Sequence, residues 1–146
     1  NMPPRRGSKT TASEVIAERP IIDMHTLRLP REEAARVETF KKLHRLPTGD
    51  LYVFLMNITG IDAEGSNRVL VDYARFDAED DVRPTIDNSS MRLPREQSDR
   101  MKNFKKNHRL SVGEMLIFML DNAKIAKDGN TRLLIDYETL SLVQDH

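Results

Sequence analysis

The sequence contains no cysteine and no tryptophan, and aromatic residues make up only 5% of its 146 positions. Without cysteine the chain has no disulfide, no thiolate metal site and no thiol nucleophile, which suits a reducing compartment. It has no apolar run of the roughly 18 residues needed to span a bilayer, and residues 1–20 lack the apolar centre of a signal peptide. We therefore expect a soluble, cytoplasmic protein that starts with a flexible basic arm at residues 1–20.

The chain also has no net charge, because 23 lysines and arginines balance 23 acids. The charges are nevertheless separated along the sequence. Residues 28–45 carry six cations against three glutamates, and residues 92–109 carry seven cations against two acids. Residues 72–81, between these blocks, carry five acids and one arginine. Two basic blocks joined by an acidic connector at 77–85 indicate either a surface for a polyanion or a pair of solvated helix faces.

The two basic blocks belong to an internal repeat. Residues 22–73 align with residues 86–137 without a gap, and 22 of the 52 aligned positions are identical. A unit of about fifty residues buries too little apolar surface to be stable alone, so the two units are expected to share one core. The chain then divides into the arm (1–20), a first repeat (21–76), the connector (77–85) and a second repeat (86–146), with both repeats folding as one domain.

Each repeat starts with a short alternating stretch, MHTLRLP at 24–30 and NSSMRLP at 88–94. Such alternation predicts a β-strand in which every second residue faces the core. The predicted inward residues are His25, Leu27 and Leu29 in the first copy and Ser89, Met91 and Leu93 in the second. The predicted outward residues are Met24, Thr26 and Arg28 in the first copy and Asn88, Ser90 and Arg92 in the second.

Two helices are predicted after each strand. The proline of RLPRE suits the first helical turn, acids follow it where the helix dipole favours them, and Phe40 or Phe104 lies on the apolar stripe of this basic helix. The second helix follows the turn HRLPTG or HRLSVG, and Ser111 and Glu114 have the spacing of a capping box. Its sequence, DLYVFLMNI or EMLIFMLDN, is apolar on nearly every side, which predicts a shared central core. The segments GSNRVLVDY and DGNTRLLIDY predict one further strand per repeat.

Other repeated residues do not indicate a reaction. His44 and His108 end the basic helices, where a histidine usually contacts terminal carbonyls. Asp72 and Asp136 have no nucleophile, phosphate-binding loop or cluster of metal ligands nearby in the sequence. The segment IDAEGSN lacks the ligand spacing of a calcium loop and indicates a turn. We expect no enzymatic activity, no cofactor and no metal.

The RLPRE junction, the HRL-x-x-G-[DE] turn and the order strand, basic helix, turn and buried helix resemble the ribbon-helix-helix family of DNA-binding proteins, over residues 22–58 and 86–122. In that family two copies pair their strands into an antiparallel ribbon that enters the major groove. The resemblance implies an α+β, mainly helical fold. Two ribbon-helix-helix repeats of one chain would form a dimer-like domain with a pseudo-twofold axis, to which the pattern adds an extra C-terminal strand per repeat.

The resemblance also implies two sets of DNA contacts. The base-reading residues are the outward ribbon side chains, Met24, Thr26, Arg28, Asn88, Ser90 and Arg92. Phosphates would be bound near the helix starts and along the basic helices, by Arg31, Lys41, Lys42, Thr48, Gly49, Arg95, Lys105, Lys106, Val112 and Gly113. The glycines would let the helix backbone approach a phosphate closely. Because the two outward triplets differ, the expected partner is a non-palindromic duplex bound by a single chain.

The tandem form is similar to bacterial accessory proteins of conjugation and of T-DNA transfer in virulence. Such proteins bind at a transfer origin, or at an overdrive-like sequence beside a border, together with a relaxase or nuclease. A second interpretation is a transcriptional repressor or antitoxin-like regulator with the same ribbon. A third is a protein-interaction scaffold whose basic face binds an acidic partner. The sequence leaves these three open.

Overall fold

The computed structural model describes residues 21–77 and 85–144 of the chain. The first part forms strand β1 (Ile22–Pro30), helices α1 (Arg31–His44) and α2 (Thr48–Ile58), and a short 3-10 helix (Tyr73–Phe76). The second part forms strand β2 (Ile86–Pro94), helices α3 (Arg95–His108) and α4 (Val112–Asn122), and the short strands β3 (Ile135–Asp136) and β4 (Ser141–Leu142). The predicted α+β class is confirmed. The predicted arm at 1–20 and residues 78–84 of the connector lie outside the described residues.

Strands β1 and β2 pair antiparallel into a two-stranded ribbon. Thr26 lies opposite Ser90, its equivalent in the sequence repeat, so the register is mirrored about this pair. The outward pairs are Met24 with Arg92, Thr26 with Ser90, and Arg28 with Asn88. The first amide of each following helix extends the ladder, because Arg31 N–H donates to the Thr85 carbonyl and Arg95 N–H donates to the Ile21 carbonyl, both at 2.7 Å.

The predicted inner face of the ribbon is confirmed except at Ser89. The four aliphatic or methionine positions on that face are buried and His25 is half-buried, whereas Ser89 is exposed. The reason lies in the neighbouring helix, since Ser89 and Ala34 line an open groove of about 370 Å³. At the other end of the ribbon the equivalent residues, His25 and Ser98, are longer and fill this space with a hydrogen bond of 2.8 Å.

The helix boundaries follow local signals in the sequence. Helices α1 and α3 start directly after a proline, as predicted. The capping box of α4 is confirmed, since the Glu114 amide donates to the Ser111 hydroxyl at 3.1 Å and the Ser111 amide donates to the Glu114 carboxylate at 2.9 Å. Helices α1 and α3 each end at an arginine with a left-handed backbone, Arg45 and Arg109, both with φ of 55°. Glycine is the usual residue at such positions.

The core lies between the ribbon and helices α2 and α4. Residues 51–56 and 115–120 are buried without exception, which confirms the prediction from their apolar composition. Phe40 and Phe104 are fully buried, and their ring centroids lie 6.4 Å from Phe54 and 5.9 Å from Phe118, respectively. Each basic helix thus packs against the central helix of its own repeat.

The strand predicted at the end of each repeat is wrong for the first copy and much shorter than predicted in the second. Residues 66–72 form no strand, and only the two residues of β3 do so in the second copy. The side chains nevertheless alternate, because Val69 and Val71 pack on the core while Leu70 is 98% exposed. In the described part of the chain, however, no neighbouring strand completes a ladder with 66–72. The Val69 amide donates instead to Nε2 of His108, at 3.2 Å.

These two C-terminal segments, which we name the first strap (residues 65–73) and the second strap (residues 129–137), each lie along the basic helix of the other repeat. In the first strap the Tyr73 hydroxyl donates to the His108 carbonyl at 2.5 Å. In the second, the Tyr137 hydroxyl donates to the His44 carbonyl at 2.7 Å, and the His44 ring contacts the Thr131 carbonyl at 2.8 Å. Both histidines are buried. The predicted contact with a terminal carbonyl of its own helix is confirmed for His108, whose ring contacts the Phe104 carbonyl at 3.0 Å, whereas His44 contacts a carbonyl of the other repeat.

Arg36 and Arg100 belong to the two basic blocks of the sequence but do not lie on an exposed basic face, because both are buried. Each guanidinium donates hydrogen bonds to two backbone carbonyls of the other repeat, which lie just after the central helix of that repeat. The carbonyls are those of Ile125 and Ala126 for Arg36, and those of Ile61 and Asp62 for Arg100. Each basic helix therefore presents one cation fewer to solvent than its sequence implies.

The side chains around these two arginines differ in charge. Glu33 and Asp121 accept hydrogen bonds from Arg36 at 3.1 and 3.0 Å, and Arg75 bonds to the same two carboxylates. The equivalent residues around Arg100 are the neutral amides of Gln97 and Asn57, at 3.0 and 2.9 Å. The carboxylates of the first site thus occur together with a second arginine, which keeps that cluster neutral.

Candidate nucleic-acid interface

The six predicted base-reading residues lie together on the outer face of the ribbon. Each of them is exposed, and the strand alternation directs them away from the core. We name this surface the ribbon face, defined by Met24, Thr26, Arg28, Asn88, Ser90 and Arg92. The acids Asp23 and Asp87 lie at the alternate positions of the two strands, so the ribbon face carries two arginines and no carboxylate.

The two ends of the ribbon face are unequal. At one end, Nε of Arg28 donates to the side-chain carbonyl of Asn88 at 3.2 Å, which orients the guanidinium. At the other end, Arg92 lies opposite Met24, whose side chain is 60% exposed. Within the described residues Arg92 has no side-chain hydrogen bond. Both ends of the ribbon face therefore carry a guanidinium group, but only the one of Arg28 is oriented by a side-chain hydrogen bond.

Arg31 and Arg95 flank the ribbon and are both exposed, as a phosphate contact requires. Each is paired with an aspartate of the facing strand, since Arg95 binds both carboxylate oxygens of Asp23 at 2.6 and 3.1 Å and Arg31 lies 3.7 Å from Asp87. The hydrogen bond from Arg95 lowers the pKa of Asp23. A phosphate at this position would thus compete with Asp23 for the guanidinium of Arg95.

The helix starts predicted to bind phosphate lie directly behind the ribbon. A Cβ on Gly49 would lie 1.9 Å from the Arg92 carbonyl oxygen, and one on Gly113 would lie 2.1 Å from that of Arg28. Both glycines are buried, and the adjacent Thr48 is half-buried, as is Val112. The close approach made possible by glycine is therefore to the strand that carries a reading arginine. Sequence reasoning missed this contact because it joins residues more than forty positions apart.

The lysines of the two basic helices are not equivalent. Lys42 and Lys106 are exposed, whereas Lys41 is paired with Glu38 at 3.0 Å. Lys105 is half-buried, and its charge and that of Lys102 act on His25 beneath the ribbon. Sequence reasoning did not assign Lys102 to the interface, although it lies one helical turn before Lys105 and Lys106. Since its equivalent in the first repeat is Glu38, the two flanks differ by two charges.

Comparison of the chain with protein-family models, with curated proteins and with solved structures gives no match. Across residues 21–77 and 85–144, no three or more histidines or acids are arranged to hold a metal ion. None of the helices in the same residues has the length and apolar character to cross a membrane.

His25 makes the stability of one end of the ribbon dependent on pH. Its partial burial, and then the charge of Lys102, lower its pKa below the ordinary value of 6.5, while Asp23 opposes this. The unfolded chain therefore binds a proton at this residue more readily than the folded one, so stability should fall as pH drops below about 6.5. The variant His25→Ser carries the residue type found at the equivalent position 89. As the pH drops below about 6.5, we expect its melting temperature to fall less steeply than that of the natural protein. Thermal melts at a series of pH values test this, and identical slopes for both proteins would contradict it.

Proposed function

We propose that this protein binds double-stranded DNA sequence-specifically and inserts the β1–β2 ribbon into the major groove. The observation that supports this most directly is the ribbon face, with two exposed arginines, four further exposed side chains and no acid. The major groove is about 12 Å wide and admits a two-stranded ribbon, and arginine and asparagine are the usual bidentate partners of guanine and adenine. The starts of α2 and α4 lie behind the same ribbon, and the start of a helix is a general binding site for an anion such as a flanking phosphate.

The proposal includes a ribbon-helix-helix arrangement in which the two repeats act as the two halves of a dimer. Reciprocal contacts support it, since the glycine, the buried arginine and the strap tyrosine of each repeat make the same contact with the other repeat. One chain then supplies the complete binding unit and works as a monomer. The two halves carry different reading residues, so the target is a non-palindromic site.

The tandem form favours a non-enzymatic accessory role at a plasmid or T-DNA transfer origin or border, beside a relaxase or nuclease. Footprinting on the DNA around the gene for this protein tests that role. Protection next to a nick site would support it, whereas protection over a promoter would support a repressor or antitoxin-like regulator. Binding to an acidic protein with no affinity for duplex DNA would support the scaffold interpretation.

The arginines of the ribbon face provide the direct test of DNA reading. We expect Arg28→Ala and Arg92→Ala each to weaken binding to the preferred site by about 1–3 kcal/mol and to relax the preference at one or two base pairs. Selection from a random duplex library followed by titration measures both effects. As the matched control, Lys42→Ala should weaken all duplexes alike and flatten the salt slope by about one unit. Unchanged site preference in both arginine variants would contradict the ribbon as the reading surface.

The two ends of the ribbon face carry different residues opposite their arginines, and this difference gives a second test by selection from a random duplex library. Met24→Asn would place an asparagine opposite Arg92, as Asn88 lies opposite Arg28 in the natural chain. The site selected by this variant should therefore be closer to a palindrome than the site selected by the natural protein. A palindromic site for the natural protein would show that the two triplets do not read the DNA separately.

A further inference from the structure

The two straps carry a repeated pair of exposed side chains that the fold does not use. Along each strap the side chains alternate, so that Val69 and Leu133 pack against the core while their neighbours face solvent. The outward pairs are Arg68 with Leu70 in the first strap and Arg132 with Leu134 in the second. Leu70 is 98% exposed and Leu134 is 77% exposed. Both residue types recur in both repeats, although fewer than half of the 52 aligned positions are identical.

The straps hold these pairs close to the proposed DNA interface. Val69, next to Arg68, bonds to the His108 ring, and Thr131, next to Arg132, bonds to the His44 ring. These histidines end the basic helices, five residues before Gly113 and Gly49, which touch the ribbon backbone. Five residues span at most about 17 Å, which corresponds to about five base pairs along DNA. Each strap is therefore attached within about 17 Å of the ribbon backbone, and at that distance the duplex that flanks a ribbon site is close enough for an arginine side chain to contact it.

The charge of these two regions fits a polyanion. Arg68 lies beside the end of α3, which carries Lys105, Lys106 and Arg109, and Arg132 lies beside the end of α1, which carries Lys41, Lys42 and Arg45. The nearest strap acids, Asp72 and Asp136, are engaged in capping the next turn, where they accept backbone amides at 3.2 and 3.0 Å. In the described residues, Arg68 and Arg132 have no side-chain hydrogen bond or ion pair.

We propose that the two straps bind the sugar–phosphate backbone on either side of the ribbon site, with Arg68 and Arg132 on phosphates and Leu70 and Leu134 against the adjacent deoxyriboses. The inference rests on the proposed DNA binding and extends it. The contact is independent of base sequence, because phosphates and sugars are common to all base pairs. It lengthens the stretch of DNA covered by one chain beyond the base pairs that the ribbon reads.

The length of the DNA separates the straps from the ribbon. The duplex recovered by selection with the natural protein would be prepared as a core of about 10 base pairs and with flanks to about 30, since the phosphates outside the core are available only in the longer form. The double variant Arg68→Ala with Arg132→Ala should lose about tenfold in affinity for the longer duplex. Its salt slope on that duplex should fall by about two units, one for each phosphate contact. On the short duplex it should match the natural protein.

Two further variants identify the chemistry of the contact. Arg68→Lys with Arg132→Lys keeps both charges and should retain the salt slope on the longer duplex. Leu70→Ser with Leu134→Ser should weaken binding to the longer duplex by a few-fold at an unchanged salt slope, because an apolar contact with sugar releases no counterions. All of these residues are exposed, so melting temperatures should remain close to that of the natural protein.

The outcomes distinguish this inference from the proposed function. If the natural protein binds both duplexes and the alanine double variant equals it on both, the straps do not contact DNA, while the ribbon proposal stands. An equal loss on the short and the long duplex would also overturn the strap contact, because the effect would then lie at the ribbon. If selection recovers no duplex that the natural protein binds, the proposed function itself fails.

Discussion

Phe104→Ala is expected to lower the free energy of unfolding by about 3–5 kcal/mol, and Phe40→Ala by a similar amount. Both rings are fully buried, and each packs on a phenylalanine of the central helix and on the histidine that ends its own helix, 4.4 Å away for Phe40 and 4.1 Å for Phe104. Truncation leaves a cavity beneath the point where the opposite strap is attached. Chemical denaturation with linear extrapolation measures the loss.

The comparison with a surface position makes this test specific. Leu70→Ala removes a large apolar side chain that is almost entirely exposed, so it should change the stability by less than about 0.5 kcal/mol. The two phenylalanine variants should also unfold in one transition each, since both repeats contribute to one core. A cost below about 1 kcal/mol at Phe40 or Phe104 would show that the ring does not occupy the core.

Gly113→Ala should destabilise the protein by about 3 kcal/mol or more and also impair DNA binding. An alanine in a helix is normally better than glycine by about 1 kcal/mol, so the intrinsic preference has the opposite sign. The added Cβ would however lie 2.1 Å from the Arg28 carbonyl, and backbone cannot give way as a flexible side chain can. Relief requires the strand to move away from the helix, which displaces Arg28 on the ribbon face. Denaturation and DNA titration together measure both effects.

Gly49→Ala should give the matching result at Arg92, where the contact is 1.9 Å. Gly60→Ala is the control, because a Cβ there has no atom within 4 Å and the cost is confined to its positive φ of 80°. That variant should lose about 1 kcal/mol of stability and keep the DNA affinity of the natural protein. Equal DNA affinity for the Gly113→Ala and Gly60→Ala variants would show that the contact between the start of α4 and the ribbon is not needed for DNA reading.

The parts of the fold that follow from local chemistry could be predicted from the sequence. The proline before each basic helix, the Ser111–Glu114 capping box and the strand alternation each depend on residues within four positions, and the structure confirms them. The burial of the central helices is also predictable, because a segment that is apolar on every side has no stable place at a surface. These signals placed the ribbon face correctly without any knowledge of tertiary contacts.

The features that sequence reasoning missed all depend on distant partners. Arg36 is buried because it binds carbonyls 89 and 90 positions further along the chain, and nothing near Arg36 in the sequence indicates them. Ser89 is exposed because Ala34, on another element, is too short to cover it. Residues 66–72 of the first strap have the composition of a strand, but among the residues that the structure describes no neighbouring strand completes a ladder with them. The composition of a segment indicates a preference for extended structure, whereas a β-ladder also requires a neighbouring strand that can form the hydrogen bonds.

The exchange of straps between the repeats has a consequence for the synthesis of the protein. The Tyr137 hydroxyl bonds to His44, which lies 93 positions earlier, and β1 pairs with a strand that starts at Ile86. A chain leaving the ribosome therefore cannot complete its first repeat until the second has emerged. At about 5–20 residues per second, the interval between Ile58 and Tyr137 lasts on the order of 4–16 s. During that time the apolar side chains of α2 lack the second-repeat partners that cover them in the folded protein, which leaves the nascent chain exposed to aggregation.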